Sequence, residues 1–334
     1  MRTKNSTKRI AALTLAIITA AGLAGCAGPS NNAGGSADPA SAKVALISSQ
    51  SEGDPFGDLV FSGLQKLHDE DGTEVRQVAG VEPGAYEQQV RAMVQQGFNP
   101  VMVLWDDLGN VVSKLAPDFP DTKFMIIDSY IDPGLDNVET VIIDPVQAAY
   151  LAGVYGGSVT QSGVLGFVGG AEQPVIQKYL CGFDAGVKSV RPDASILTSY
   201  AGSFQDPTKG EQLADSQIGQ GADVLMHAAN QTGLGVLQAT AAAGKTGIGV
   251  DFWQGDVAPG SVGWSALKDA GTATYEAAKA AVDGDFQSGV FVWGAEQGAT
   301  LFDQRDLDGL PDNLKPVLQS AIDALQSGSV TTSC

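Results

Sequence analysis

Short apolar segments alternate with helical patterns along most of this 334-residue chain. Because the segments are continuously apolar, they predict the strands of a parallel sheet that helices cover on both faces. The pattern begins again near residue 144, so we predict an α/β protein of two doubly wound lobes with a hinge and a central cleft. The predicted strands are 44–48, 74–79, 101–105, 123–128, 164–168, 196–200, 223–226, 247–251 and 261–267.

The same pattern sets the predicted domain boundaries. Residues 43–143 with about 265–290 form the first lobe, and residues 144–264 with about 291–334 form the second. About 290 residues are more than one hydrophobic core usually serves, which also favours two lobes. Residues 1–25 are assigned to a signal peptide and residues 26–42, rich in Gly, Ser, Pro and Asn, to a flexible tether.

The N-terminus predicts export and a lipid anchor. Basic residues precede an apolar stretch at 10–22 that is too short to span a bilayer as a stable helix. The tetrapeptide Leu23-Ala24-Gly25-Cys26 follows, and it resembles the bacterial lipobox, in which the cysteine thiol is diacylated and the signal is cut just before that cysteine. The alternative is a secretory signal with an unmodified cysteine. We therefore expect a protein anchored by lipid on the extracytoplasmic face of the cell membrane.

Net charge and cysteine content bear on the expected binding partners and on disulfide formation. The net charge is -19, so the chain is not expected to bind nucleic acid through its phosphates. If Cys26 is acylated, Cys181 and Cys334 remain, and an even pair in an oxidising compartment favours a disulfide. The alternative is a buried free Cys181 and a free terminal Cys334. We expect a monomer that binds a small molecule.

Catalytic motifs are scarce in this sequence. It contains only two histidines, His68 and His227, with no HExxH and no GxSxG. Residues 244–246 read Gly-Lys-Thr, but Ala239 stands where a phosphate loop requires its first glycine. A helix cap is the better interpretation of that glycine. An enzyme is therefore the weaker hypothesis, and no metal or cofactor is expected.

Aromatic and carboxylate side chains recur where predicted strands end. Flat rings bury area at little entropic cost, and carboxylates accept hydrogen bonds from ligand O–H or N–H groups. Together they predict a site for a polar, planar or ring-shaped small molecule. Structural alternatives are helix capping for Asp54, the core for Trp105 and a loop anchor for Phe204. The candidates are Asp54, Phe56, Trp105, Asp106, Phe204, Asp251, Phe252 and Trp253.

Nine sequence blocks carry a resemblance that covers nearly the whole mature chain. They are AAYLAG (148–153), GFVGG (166–170), GFDAGVKSVRPD (182–193), SYAGSFQDPTKG (199–210), QGADVL (220–225), TGLGV (232–236), GVD (249–251), VAPG (257–260) and SALK (265–268). In this order they resemble the basic membrane protein family, which comprises lipoprotein substrate-binding components of ABC importers and includes the purine nucleoside receptors.

The resemblance implies a type I periplasmic-binding-protein fold, an ABC permease as partner and, in the best known members, a purine nucleoside in the cleft. By this resemblance Phe56 and Phe204 sandwich the base. Asp54 and Asp251 accept hydrogen bonds from base or ribose, and Lys268 donates to a ligand oxygen or ring nitrogen.

Four segments depart from the family pattern and keep other ligands open. The usual Asp-x-Ser-Phe-Asn segment is shortened to Asp54-Pro55-Phe56-Gly57-Asp58, and Asn230-Gln231 replaces Gly-Gly. Phe252-Trp253-Gln254 replaces Ser-Asp-Gln, and Trp105-Asp106-Asp107 replaces a segment rich in Gly and Phe. Bulkier side chains there shrink or reshape the pocket, so a sugar or polyol is an alternative ligand. A sensor that reports to a membrane kinase is an alternative function, and a hydrolase of nucleosides or sugars is a third. Asn230 and Trp253 complete the predicted ligand-binding residues.

Overall fold

The computed structural model describes residues 42–330 and residue 334. The predicted signal peptide (1–25), the predicted lipidation site at Cys26 and the tether up to residue 41 lie outside these described residues. None of the helices in the described part is both long enough and apolar enough to cross a membrane.

Strands and helices alternate along the described chain. The strands are β1 (Lys43–Ile47), β2 (Glu74–Val78), β3 (Val101–Leu104), β4 (Phe124–Ile127), β5 (Val138–Ile143), β6 (Val164–Gly169), β7 (Ser195–Tyr200), β8 (Val224–Ala228), β9 (Thr246–Asp251), β10 (Val262–Leu267) and β11 (Gly289–Trp293). The helices are α1 (Pro55–Asp71), α2 (Tyr86–Gln95), α3 (Trp105–Leu115), α4 (Val146–Val159), α5 (Pro174–Val190), α6 (Pro207–Gly219), α7 (Asn230–Ala242), α8 (Ala270–Asp283), α9 (Gln304–Gly309) and α10 (Lys315–Gln326).

The first lobe is a parallel sheet in the order β11-β5-β4-β3-β1-β2. Every residue of β3 and β4 is buried, which is what a sheet covered on both faces requires of its central strands. Helices α1 and α8 pack on one face, and α2 and α3 pack on the other. The continuous apolar runs in the sequence thus become the centre of this lobe.

The second lobe repeats the plan with a parallel sheet in the order β10-β9-β8-β6-β7. Helices α4, α5 and α10 cover one face, and α6 and α7 cover the other. The predicted fold class, two parallel sheets flanked by helices, is therefore confirmed.

Within the described residues, the chain crosses between the sheets after β5, after β10 and after β11. The crossings are held to one another by backbone hydrogen bonds. Asp144 N donates to Trp293 O at 3.0 Å, and Leu267 N donates to Leu301 O at 3.0 Å. A bundle of adjacent crossings is the expected place for a hinge, because rotation there disturbs neither sheet.

Strand pairing assigns two segments near the predicted C-terminal lobe boundaries. β10 pairs with β9 as far as Leu267 and so belongs to the second sheet. β11 pairs with β5 through Trp293 and so belongs to the first sheet. The lobe boundaries at about 265 and about 290 stay predictions, since a short apolar run does not reveal its pairing partner.

Candidate ligand-binding cleft

A cleft of about 550 Å³ lies between the two lobes. Its walls are built by residues that end or follow β1, β3 and β4 of the first sheet and β6, β7, β8, β9 and β10 of the second. This is the location expected for a ligand in open parallel sheets, beyond the carboxyl ends of the strands. Of the residues predicted from the sequence, those in the cleft lining are Phe56, Trp105, Asp106, Phe204, Asn230, Asp251 and Lys268.

Three of the aromatic rings that line this cleft lie next to one another. The ring of Phe56 stacks on Trp105 with centroids 5.9 Å apart and an angle of 15° between the planes. Phe204 reaches Trp105 from the second lobe, with centroids 6.5 Å apart and an angle of 33°. Trp105, a departure from the family pattern, thus contacts both rings that the resemblance assigns to the base.

Local structure explains how Phe56 is placed. Asp54 precedes α1 as its N-cap, and its Oδ1 accepts hydrogen bonds from the backbone N–H groups of Phe56 at 3.1 Å and Gly57 at 3.0 Å. Pro55 occupies the first helical position, where its missing N–H costs nothing. Asp54 is 1 % exposed and lies behind the cleft wall rather than in it. Its capping role matches the structural alternative considered from the sequence.

Lys268 and Asp128 form a buried ion pair in the cleft. The Lys268 Nζ atom lies 2.6 Å from Asp128 Oδ1, and the two side chains are 3 % and 4 % exposed. The indole Nε1 of Trp105 donates to Asp128 Oδ2 at 3.1 Å. Buried charges require this kind of pairing, so the ammonium that was predicted to donate to a ligand already has a carboxylate partner.

Asp251 and Tyr179 form a second polar pair. The Tyr179 hydroxyl donates to Asp251 Oδ1 at 2.7 Å. Burial raises the pKa of the Asp251 carboxyl to about 6, although the positive charge of Lys268 and the Tyr179 hydrogen bond oppose the shift. Burial also raises the pKa of the Tyr179 phenol well above 10.0, so this hydroxyl keeps its proton. Above pH 6, Asp251 is mostly an ionised acceptor facing the cleft.

The backbone is strained at four points of the cleft. Among the described residues, the non-glycine residues with positive φ are Trp105 (67°), Asp128 (56°), Asn230 (48°) and Asp251 (69°). All four line the cleft and lie at or just after the end of a strand. Such conformations are unfavourable for L-residues and persist only where the surrounding structure imposes them, commonly at functional sites.

The lining is acidic overall. It contains Asp106, Asp107, Asp128 and Asp251 against one cation, Lys268. The Asp106 carboxylate accepts from Ser129 Oγ at 2.6 Å, and the Asp107 carboxylate accepts from the Tyr86 hydroxyl at 2.6 Å. Hydrogen bonds hold these carboxylates in place without neutralising their charge.

Trp253 lies outside the cleft lining, as do the candidates Asp54 and Phe252. The ring of Trp253 packs 3.7 Å from the guanidinium carbon of Arg305, and its Nε1 donates to Asp306 Oδ1 at 2.9 Å. The loop after β9 therefore directs this tryptophan towards α9, where it stacks with a cation.

Several residues that line the cleft were not predicted from the sequence. Asp128 ends the predicted strand 123–128, so the signal that identified Asp106 was also present there. Tyr179 lies inside α5 and follows the helical apolar pattern, which gives no sign that its hydroxyl reaches Asp251. Tyr130 also lines the cleft, and its buried hydroxyl has no hydrogen-bond partner among the described residues.

Two other features bear on the expected chemistry. Cys181 of α5 and Cys334 form a disulfide. Among residues 42–330 and 334, no group of three or more His, Cys, Asp or Glu side chains is arranged to hold a metal ion.

Two lobes with a cleft at their strand ends are found in solute-binding proteins of ABC transporters and also in transcriptional regulators, so the family assignment rests on the sequence. This chain belongs to the family described as ABC transporter substrate-binding protein, PnrA-like (Bmp), whose model matches residues 41–327. The substrate-binding proteins of ABC transporters bind small ligands, work with permease subunits and are generally not enzymes.

Relatives and solved structures agree with this membership. The chain is 33 % identical over 240 residues to the CD4+ T-cell-stimulating antigen of Listeria innocua, covering 69 % of this chain and 67 % of that protein. It is 28 % identical to the ABC transporter nucleoside-binding protein BmpA of Lactococcus lactis, covering 97 % of this chain and 98 % of the relative.

Solved structures show a similar architecture. A solute-binding protein of an ABC transporter system from Conexibacter woesei superposes with a TM-score of 0.69 at 25 % identity, over 87 % of this chain and 98 % of that one. A solute-binding protein from Aeropyrum pernix superposes with a TM-score of 0.75 at 22 % identity, over 87 % and 92 % of the two chains. The similarity to the Aeropyrum pernix structure supports the fold alone.

Proposed function

We propose that this chain is the receptor of an ABC importer for a purine nucleoside. The observation that carries the proposal is the combination of aromatic rings and ionised acceptors in one cleft. Phe56, Trp105 and Phe204 offer faces for a planar base, while Asp251 offers an acceptor for ligand hydroxyl or N–H groups. The nucleoside-binding name of the Lactococcus lactis relative supports the same ligand class.

The charge of the cleft restricts the ligand further. Four aspartates line it, and its lysine is already paired with one of them. A phosphate group would enter a desolvated and negatively charged space without a free cation to meet it. The ligand is therefore an uncharged nucleoside rather than a nucleotide.

A thermal-shift screen of the purified protein tests this ligand class. The panel contains purine and pyrimidine nucleosides, nucleobases, nucleoside 5′-monophosphates, sugars and polyols. A ligand at a thousandfold excess over its dissociation constant stabilises the folded state by about 4 kcal/mol, which is readily seen as a rise in melting temperature. We expect purine nucleosides to stabilise and their monophosphates not to. Stabilisation by a sugar or polyol alone would replace the nucleoside with that ligand.

The receptor is proposed to be held at the outer face of the membrane by acyl chains on Cys26. The lipobox-like segment at 23–26 and the tether-like composition that follows it support this anchor. Because acyl chains would be the strong membrane attachment, Cys26→Ser should release the protein into the soluble fraction or block its maturation. Membrane fractionation followed by immunoblotting checks this outcome. A Ser variant that stays with the membrane like the wild type would exclude lipid anchoring at this residue.

A further inference from the structure

The Asp54 carboxylate connects the two lobes. Oδ1 caps α1, and Oδ2 accepts a hydrogen bond of 2.8 Å from Nδ2 of Asn230. Asp54 lies between β1 and α1 of the first lobe, whereas Asn230 begins α7 of the second. Both oxygens of a side chain that is 1 % exposed are therefore engaged by the protein itself.

Asn230 is held in a conformation that glycine would adopt more easily. Its φ is 48°, in the left-handed region where a residue without a side chain has no steric penalty. Asparagine is among the few other residues that tolerate this region. The position thus combines backbone strain with a side chain that donates across the cleft, and removing the side chain would lose only the bond to Asp54 among the contacts described above.

The location of this bond differs from that of the buried ion pair in the cleft. Lys268, which pairs with Asp128, lies in the crossing between β10 and α8, so that pair can persist while the lobes rotate. Neither Asp54 nor Asn230 lies in a crossing. Separation of the lobes must therefore break the hydrogen bond between them.

We propose that the Asp54–Asn230 hydrogen bond is an interlobe clasp that favours the closed cleft and couples closure to the placement of Phe56. The clasp rests on the proposed function only in that the cleft is taken to be the ligand site. A hydrogen bond to a carboxylate is stronger than one between neutral groups. The apparent affinity of a ligand that needs the closed state scales with the closed fraction. Asp54 then acts on binding as a positioning residue through Phe56 and through closure.

A side-chain exchange tests the clasp in the full-length protein. Asn230→Asp keeps the size and the tolerance of positive φ, but it places two carboxylates face to face. The double variant Asp54→Asn with Asn230→Asp restores a donor–acceptor pair of reversed direction, and asparagine caps a helix about as well as aspartate. Hydroxyl-radical footprinting of ligand-free protein measures the opening, because Phe56 is 5 % exposed in the closed structure.

We expect the oxidation rate of Phe56 to rise at least threefold in Asn230→Asp and to return to the wild-type rate in the double variant. Trp264 is 0 % exposed in the core of the second lobe, so its continued protection shows that the fold is intact. An unchanged Phe56 rate in Asn230→Asp would overturn the clasp, as would a double variant that stays as open as the single one. If Trp264 also becomes oxidised, footprinting of Asn230→Gly replaces that of Asn230→Asp as the test. Glycine removes the side-chain amide and relieves the backbone strain, so the oxidation rate of Phe56 should again rise.

A second measurement separates the clasp from the ligand assignment. With adenosine as the probe, stopped-flow displacement should show a dissociation rate about tenfold faster in Asn230→Asp than in the wild type. If adenosine does not bind wild-type protein, the proposed nucleoside function is contradicted, while the footprinting result on ligand-free protein still decides the clasp.

Discussion

Phe204 is the aromatic residue that the second lobe brings to the cleft, 6.5 Å from the ring of Trp105. We predict that Phe204→Ala weakens ligand binding at least tenfold, because a lost stacking face costs about 1–3 kcal/mol for a nucleobase. The ring is only partly buried, so the loss of stability should stay below the cost of about 3–5 kcal/mol for emptying a core phenylalanine site. Isothermal titration calorimetry and thermal unfolding measure the two effects.

The control for Phe204→Ala is Lys114→Ala on the exposed face of α3, which should alter neither quantity. If binding falls only in proportion to a collapse of the melting temperature, Phe204 is a packing residue and its ligand role is rejected.

Asp251 gives the cleft a pH dependence. Because burial raises its pKa to about 6, its ionised fraction falls about tenfold between pH 7 and pH 5. We predict that the dissociation constant rises about tenfold over this range for a ligand that does not titrate there. Asp251→Asn should bind more weakly at pH 7 but lose this pH dependence. Calorimetry at both pH values checks it, and an equal slope in the variant would assign the titration to another group.

The same shift has an opposite effect on stability. The folded pKa of Asp251 lies above the usual aspartate value of 3.8, so the folded state holds the proton more tightly than the unfolded state does. The contribution of this group to stability is complete below about pH 4 and is lost as the pH rises through about 6. Ligand binding and stability therefore respond to this carboxyl in opposite directions.

At the scale of elements, the second lobe depends on close packing between α4 and α5. A side chain on Gly186 of α5 would overlap the backbone oxygen of Tyr150 on α4. We predict that Gly186→Ala destabilises the protein by about 1–3 kcal/mol or more, because the helices must separate. Gly219→Ala near the end of α6 is a matched control, since a methyl group there meets no atom within 4 Å. Urea unfolding compares the two variants, and equal stability would mean that the helices adjust without cost.

The elements also show which parts of the fold and of the cleft could be predicted from the sequence. The continuous apolar runs of β3 and β4 were predictable because burial on both faces leaves no polar alternation. The assignment of β11 to the first sheet was not, because its pairing with β5 is non-local. Trp105 and Trp253 have the same local signal, an aromatic after a strand, yet only Trp105 lines the cleft. The difference depends on Arg305 and Asp306, some fifty residues downstream.

At the scale of the whole molecule, the crossings between the lobes and the Asp54–Asn230 clasp have different roles in closing the cleft. The crossings hold the lobes together by hydrogen bonds such as that from Asp144 N to Trp293 O, which do not depend on whether the cleft is open or closed. Asp54 and Asn230 meet outside those crossings, so their contact depends on the angle between the lobes. The strained strand ends, Asp128 and Asp251 among them, present their side chains into the closed space. Binding energy from the ligand therefore adds to a closure that the protein partly provides.

The disulfide between Cys181 and Cys334 links residues 153 positions apart and joins the end of the chain to α5. Lys178 Nζ also donates to the backbone oxygen of Cys334 at 3.3 Å. In the chain-entropy account a closed loop of this length stabilises the folded state by about 4–5 kcal/mol, because it restricts the unfolded chain. We predict that replacing both cysteines by serine lowers the free energy of unfolding by up to this amount. Mass spectrometry of unreduced peptides should find the two cysteines linked in the wild type, and urea unfolding should find the variant less stable. Two free thiols in the wild type would contradict the bond, and an unchanged unfolding midpoint would mean that the unfolded chain is already restricted by other contacts.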